Sequence, residues 1–156
     1  MQIYYDREAS VDYAKEWALR KNPKYAAVAA SGGADFSSEC VYSGCGVMNG
    51  FDKRGWYFNG GNDVGSAWQK NENLYRFLIK NKKSGPFARE TGISEIMPGD
   101  IVLMYRGNKI FQSAVVADIS GKRVRVCAHD MHSFMRPLES YKYSAIKFLH
   151  IIGARS

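Results

Sequence analysis

The chain has little of what marks several protein classes. Its three cysteines (Cys40, Cys45 and Cys127) are an odd number with no C-x-x-C pair among them, which argues against a disulfide scaffold and a cysteine-based zinc knuckle. Four prolines beside fifteen glycines exclude collagen-like and linker compositions. Apolar runs are only a handful of residues long, far short of the about 20 that cross a bilayer, so no membrane span is expected. Polar and aromatic residues follow Met1 directly, without the cationic and apolar regions of a secretory signal. As written, the chain reads as cytoplasmic, or as extracytoplasmic if it is a domain trimmed from a longer protein. It shows no internal repeat and no low-complexity tract.

What is present points to one folded unit. A length of 156 residues suits a single domain over 1–156, which buries about 70% of the surface its unfolded chain exposes. Hydrophobic content of 46% with 13% aromatics excludes disorder. Lys and Arg total 22 against 15 Asp and Glu, a formal net charge of +7. That balance favours acidic partners such as nucleic acid, an anionic polymer or a carboxylate-rich cell wall, although a solvated basic surface is the simpler account.

Periodicity predicts helices first and strands after. Ala9, Tyr13, Ala14, Trp17 and Ala18 recur at helical spacing from Arg7 to Arg20 behind an Asp6 cap, and Asn22-Pro23 ends the run. Ser31-Gly32-Gly33 turns into a second helix from Ala34 to Ser43, closed by Gly44. Residues 46–70 are glycine-rich and punctuated by Trp56-Tyr57-Phe58 and Trp68, a long loop pinned by aromatics. A third helix covers Asn71 to Lys80, with Leu74, Phe77 and Leu78 inward, and runs into the basic turn Lys80-Asn81-Lys82-Lys83. After the Pro98-Gly99-Asp100 turn, strands are expected over Ile101–Tyr105, Ile110–Ile119, Lys122–His129 and Ala145–Ile152. The class is α+β, with N-terminal helices packed on an antiparallel meander. Reading Ser120-Gly121 as a two-residue hairpin loop places Ile119 opposite Lys122, Asp118 opposite Arg123 and, further out, Gln112 opposite His129.

Several motifs in order then resemble one family. Tyr5-Asp6-Arg7, Ala9, and Tyr13-Ala14 with Trp17-Ala18 look like the opening of the putative amidase domain of the papain-like cysteine hydrolases, relatives of the NlpC-type peptidases of the bacterial cell wall. The segment from Phe36 to Gly44 is similar to that family's helix, usually written Phe-Val-Ser-Gln-Cys-Leu-Tyr-Ala-Gly. Trp56-Tyr57, Gly85-Pro86-Phe87, Pro98-Gly99-Asp100 and Arg136-Pro137-Leu138 with Tyr141 follow in the family's order. The resemblance implies a papain-like fold and a cysteine nucleophile at a helix N-terminus, a histidine base on a facing strand, and a polar residue that orients it.

The resemblance also implies that this chemistry is lost here. The family's nucleophile falls on Gly33 and its base on Gln112, and only the orienting position keeps a suitable residue, His129. Glycine offers no nucleophile, and a carboxamide does not shuttle protons at neutral pH. The expectation is a pseudoenzyme whose vestigial cleft, lined by Gly32, Gly33, Ala34, Gln112, His129 and Trp56, holds a peptide, a cell-wall (peptidoglycan) fragment or a protein partner. Restoring Cys at 33 and His at 112 should then rebuild the dyad on His129. Among the other thiols, Cys40 lies ~10 Å further along the helix and reads as core, and Cys45 reads as a free thiol. Ser37 and Ser38 read as exposed. Cys127, His129 and His132 lack an evident fourth ligand, so neither a metal nor a cofactor is expected. Two alternatives stand beside this reading: an active amide hydrolase with a displaced thiol, and a weak nucleic-acid or polyanion binder that carries no recognition motif.

Overall fold

The computed structural model describes residues 1–25, 33–129 and 133–156. In chain order its elements are strand β1 (Gln2–Ile3), helices α1 (Arg7–Trp17) and α2 (Asp35–Cys45), strands β2 (Phe58–Gly60) and β3 (Asp63–Val64), helices α3 (Ser66–Gln69) and α4 (Asn71–Lys80), and strands β4 (Gly85–Thr91), β5 (Ile101–Arg106), β6 (Lys109–Ser120), β7 (Arg123–Cys127), β8 (Arg136–Pro137) and β9 (Ala145–Arg155). The class is α+β, helices preceding an antiparallel sheet, as the periodicity predicts.

Local chemistry sets two of the helix ends. Asp6 caps α1 by accepting from the Ala9 N–H at 3.0 Å, and Ser10, Val11 and Ala14 form its buried stripe. The helix stops at Trp17, short of Asn22-Pro23, which instead opens a short 3-10 turn over Pro23–Tyr25. Helix α2 runs past Gly44 and closes at Gly46, which takes the left-handed conformation. It is buried nearly all round, as an interior helix must be. Helix α4 has the expected bounds, with Leu74 and Leu78 inward. Residues 46–70 are more ordered than a loop: Asn49 bridges Trp56, β2 pairs with β3, and α3 follows. The four helices among the described residues include none long and apolar enough to cross a membrane.

The main sheet has seven strands in the order β1-β9-β5-β6-β7-β8, with β4 on the other edge of β9. Alternation divides its side chains between two layers. Ile101 and Leu103 of β5, Val115 and Ala117 of β6, and Cys127 of β7 pack with the helices. Val102 and Met104, Ala114 and Val116, and Val124 and Val126 form a second core on the opposite face.

The β6–β7 hairpin corrects the register expected from sequence. Its loop is Gly121-Lys122, so Ser120 faces Arg123 and Asp118 faces Arg125. The physical reason is Gly121, whose φ of +61° is a left-handed conformation that glycine adopts without strain. A bulge at Ala117 then moves the pairing by one residue, giving Val116 opposite Val126 and Val115 opposite Cys127. The ladder ends there, and the expected Gln112–His129 pair is not part of it.

Candidate functional site

The start of α2 is strapped into the fold from both sides. The Ala34 N–H donates to the Gln69 carbonyl at 2.9 Å, and Gly33 forms an antiparallel bridge with Lys70. From the sheet, the Ser37 hydroxyl donates to Ser113 Oγ at 3.0 Å, and the Ser113 hydroxyl donates to the Gly33 carbonyl at 3.3 Å. Ser38 Oγ accepts from Trp56 Nε1 and donates to the Trp68 carbonyl, both at 2.9 Å. Ser37 and Ser38 are fully buried, which corrects their reading as exposed positions. Two serines one turn into a buried helix need hydrogen-bond partners, and the sheet and the tryptophan layer supply them.

Gly33 has a φ of +91°, a backbone conformation that side-chain-bearing residues rarely adopt. A Cβ placed on it would lie 2.9 Å from Asn71 Nδ2. The Asn71 carboxamide therefore occupies the space that a side chain at position 33 would enter. Asn71 is itself buried, and its Oδ1 has no hydrogen-bond partner among the described residues. No periodicity singles out Asn71, because its importance comes from a contact across two helices.

The remaining site positions separate. His129 is exposed and stacks on Phe36, in the first turn of α2, with ring centroids 5.6 Å apart. Gln112 goes elsewhere. Strand pairing places it opposite Met104, whose side chain belongs to the core away from the helices, and Gln112 lines a hollow on that side. The residue that faces α2 from β6 is Ser113. Trp56 is fully buried, in contact with Trp68 at 4.8 Å between centroids; it is core rather than cleft lining, a correction that follows from its indole N–H being spent on Ser38. Ala34 is buried beside Gly33, and Gly32 lies outside the described residues.

The ionisable groups near α2 are unusual. Burial pushes the Asp35 carboxyl from 3.8 up to about 6. Glu39, one turn on, is pushed by burial from 4.5 up to about 7, although the Tyr13 hydroxyl donates to its Oε1 at 2.6 Å. Burial also pushes all three thiols up, Cys45 to about 11 and Cys40 well above its usual range, so none carries thiolate at neutral pH. All three cysteines are free. His132 lies outside the described residues, and among those described no three His, Cys, Asp or Glu side chains come together as metal ligands.

This geometry revises the outcome of restoring the dyad. A Gly33→Cys side chain would strain the backbone and press on Asn71, and a Gln112→His ring would sit on the far side of the sheet. The G33C/Q112H double variant is therefore expected to react with iodoacetamide at pH 6 no faster than G33C alone. Faster reaction of the double variant would mean that position 112 reaches the start of α2.

Comparison with known proteins bears on the family alone. The uncharacterized protein YhbB of Bacillus subtilis (strain 168) is 28% identical over 137 residues, covering 85% of this chain. The matched region is 43% of that relative, so the chain spans less than half its length. No solved structure matches the chain significantly. The pattern of the putative amidase domain, however, matches residues 4–152, from just after β1 to near the end of β9. The chain belongs to the putative amidase domain family.

Proposed function

We propose that this is a papain-like amidase domain that has lost hydrolysis and binds a peptide, a cell-wall fragment or a protein partner where α2 begins. The observation that carries the reading is at Gly33, the nucleophile position implied by the resemblance. It has no side chain, and the Asn71 carboxamide fills the space a thiol would need. Among the described residues, nothing nearby substitutes for it. The Ser37 hydroxyl is spent on Ser113 and the Ser113 hydroxyl on a backbone carbonyl, which cannot act as a base. The three thiols are held protonated by burial. His129, exposed on Phe36 at the mouth of α2, is a side chain that a bound chain can meet.

Incubation of the full chain with a peptidoglycan stem peptide and with simple amides is expected to give no turnover. Calorimetric titration of the same stem peptide is expected to give binding that His129→Ala weakens. Turnover that disappears in Cys40→Ser or Cys45→Ser would overturn the reading in favour of a displaced thiol. Binding unaffected by His129→Ala would move the ligand away from α2.

A further inference from the structure

The hollow lined by Gln112 lies on the sheet face away from α2 and is about 360 Å³, a volume that holds a small ligand. It is walled by Arg106, Phe111, Arg136, Tyr141 and Lys142, with Gln112 and Ser140 between them. Three of these residues are cations, and no carboxylate among the described residues lines the hollow. None of Arg106, Arg136 and Lys142 has an ion pair among the described residues, and the Arg136 guanidinium hydrogen-bonds Ser140. Three like charges around one concavity repel one another, and a bound anion would relieve that repulsion.

The guanidinium groups are also held in place. Arg106 lies over the Phe111 ring and Arg136 over the Tyr141 ring, each 3.9 Å from the centroid. Arg136 is fixed further by donating from Nε to Ser140 Oγ at 2.8 Å and from Nη2 to the Ser140 carbonyl at 3.1 Å. These bonds use two of its five N–H donors. A guanidinium stacked on a ring keeps its edge free and loses little freedom when that edge binds an oxyanion. Arg136 and Tyr141 belong to the Arg-Pro-Leu-x-x-Tyr motif of the sequence, which the cleft at α2 does not use.

We propose that this hollow is a binding site for a small molecule bearing a phosphomonoester or diphosphate group. Charge selects phosphate over carboxylate. A phosphomonoester carries about −1.5 to −2 at neutral pH, closer to three cations than the single charge of a carboxylate. Its oxygens also accept from several guanidinium edges at once. The site is separate from the start of α2 and does not depend on the reading of that cleft.

Titration of the full chain with inorganic pyrophosphate at 150 mM salt is expected to show one site per chain. Arg106→Gln and Lys142→Gln, both at exposed positions, should each weaken binding about tenfold, the loss of one charge-assisted contact. Together they should abolish it. Lys82→Gln combined with Lys122→Gln removes the same charge from exposed positions elsewhere and should leave binding unchanged. Absence of binding to the unaltered chain, or an equal loss in the Lys82/Lys122 control, would overturn the proposal. Acetate binding as tightly as pyrophosphate would overturn the choice of phosphate.

Discussion

Replacing Asp100 with alanine is expected to destabilise the protein by about 3–5 kcal/mol, the usual cost of breaking a buried charge network from one side. Asp100 is fully buried and each of its oxygens accepts two hydrogen bonds. Oδ1 accepts from Arg7 Nη1 at 2.7 Å and from the Ile151 N–H at 2.9 Å. Oδ2 accepts from the Met97 N–H at 2.8 Å and meets His150 Nδ1 at 2.9 Å. Arg7 also donates to the carbonyls of Pro98 and Ile151, while the Tyr5 hydroxyl reaches Gly99. One carboxylate therefore joins the first turn of α1, the turn before β5 and the middle of β9. Removing it strands two backbone N–H groups in the interior and leaves the part-buried Arg7 guanidinium without its counter-charge. Urea unfolding should show a lower midpoint with an unchanged slope. A loss below about 1 kcal/mol would mean that the surrounding donors find other partners. Because the α1 end of this network is bound to the helical layer, partial unfolding there would also loosen the start of α2.

Glu39→Gln is expected to act in the opposite direction, stabilising the protein at pH 8 by about 2–3 kcal/mol. The Glu39 carboxyl is raised chiefly by burial, then lowered by the Tyr13 hydrogen bond, raised by the charge of Asp35 and lowered by that of Lys21. Its folded value of about 7 lies above its ordinary 4.5. Between those two pH values the folded chain binds a proton that the unfolded chain has released. Stability is therefore fullest below about 4.5 and is lost as the pH rises through 7. Glutamine keeps the acceptor for Tyr13 and removes the ionisation, and it is the residue of the family's helix that this segment resembles. Unfolding measured from pH 4.5 to 8 should decline steeply for the unaltered chain and much less for Glu39→Gln. Asp35, raised from 3.8 to about 6, supplies the slope that remains at the lower end. Equal slopes in both proteins would mean that Glu39 is solvated well enough to ionise freely.

The elements read most accurately from sequence are those whose own residues carry the signal. Leu74 and Leu78 fall on one face of α4 at helical spacing, so its bounds follow from local chemistry alone. The strands from Ile101 and from Ala145 are apolar and close to the expected limits. Strand β4 is not legible in the sequence because it is an edge strand: Arg89, Glu90 and Thr91 blur its alternation, while its identity comes from pairing with β9.

At the candidate site, motif order along the chain is what proposes Gly33, Gln112 and His129 for the nucleophile, base and orienting positions, because a resemblance needs no geometry. Composition determined the excess of positive charge, and periodicity the α+β class. Only the tertiary structure decided which of those residues meet. Alternation from Val115 puts Gln112 on the far face with Met104 and leaves Ser113 beneath α2, while the one-residue bulge at Phe111 returns Ile110 to the helix side. Likewise, Asn71 comes to fill the space beside Gly33, and Arg106, Arg136 and Lys142 come to share one hollow, through strand pairing and packing between residues far apart in sequence. Residue type and spacing carry the chemistry of this protein, but register and burial decide where that chemistry is pointed.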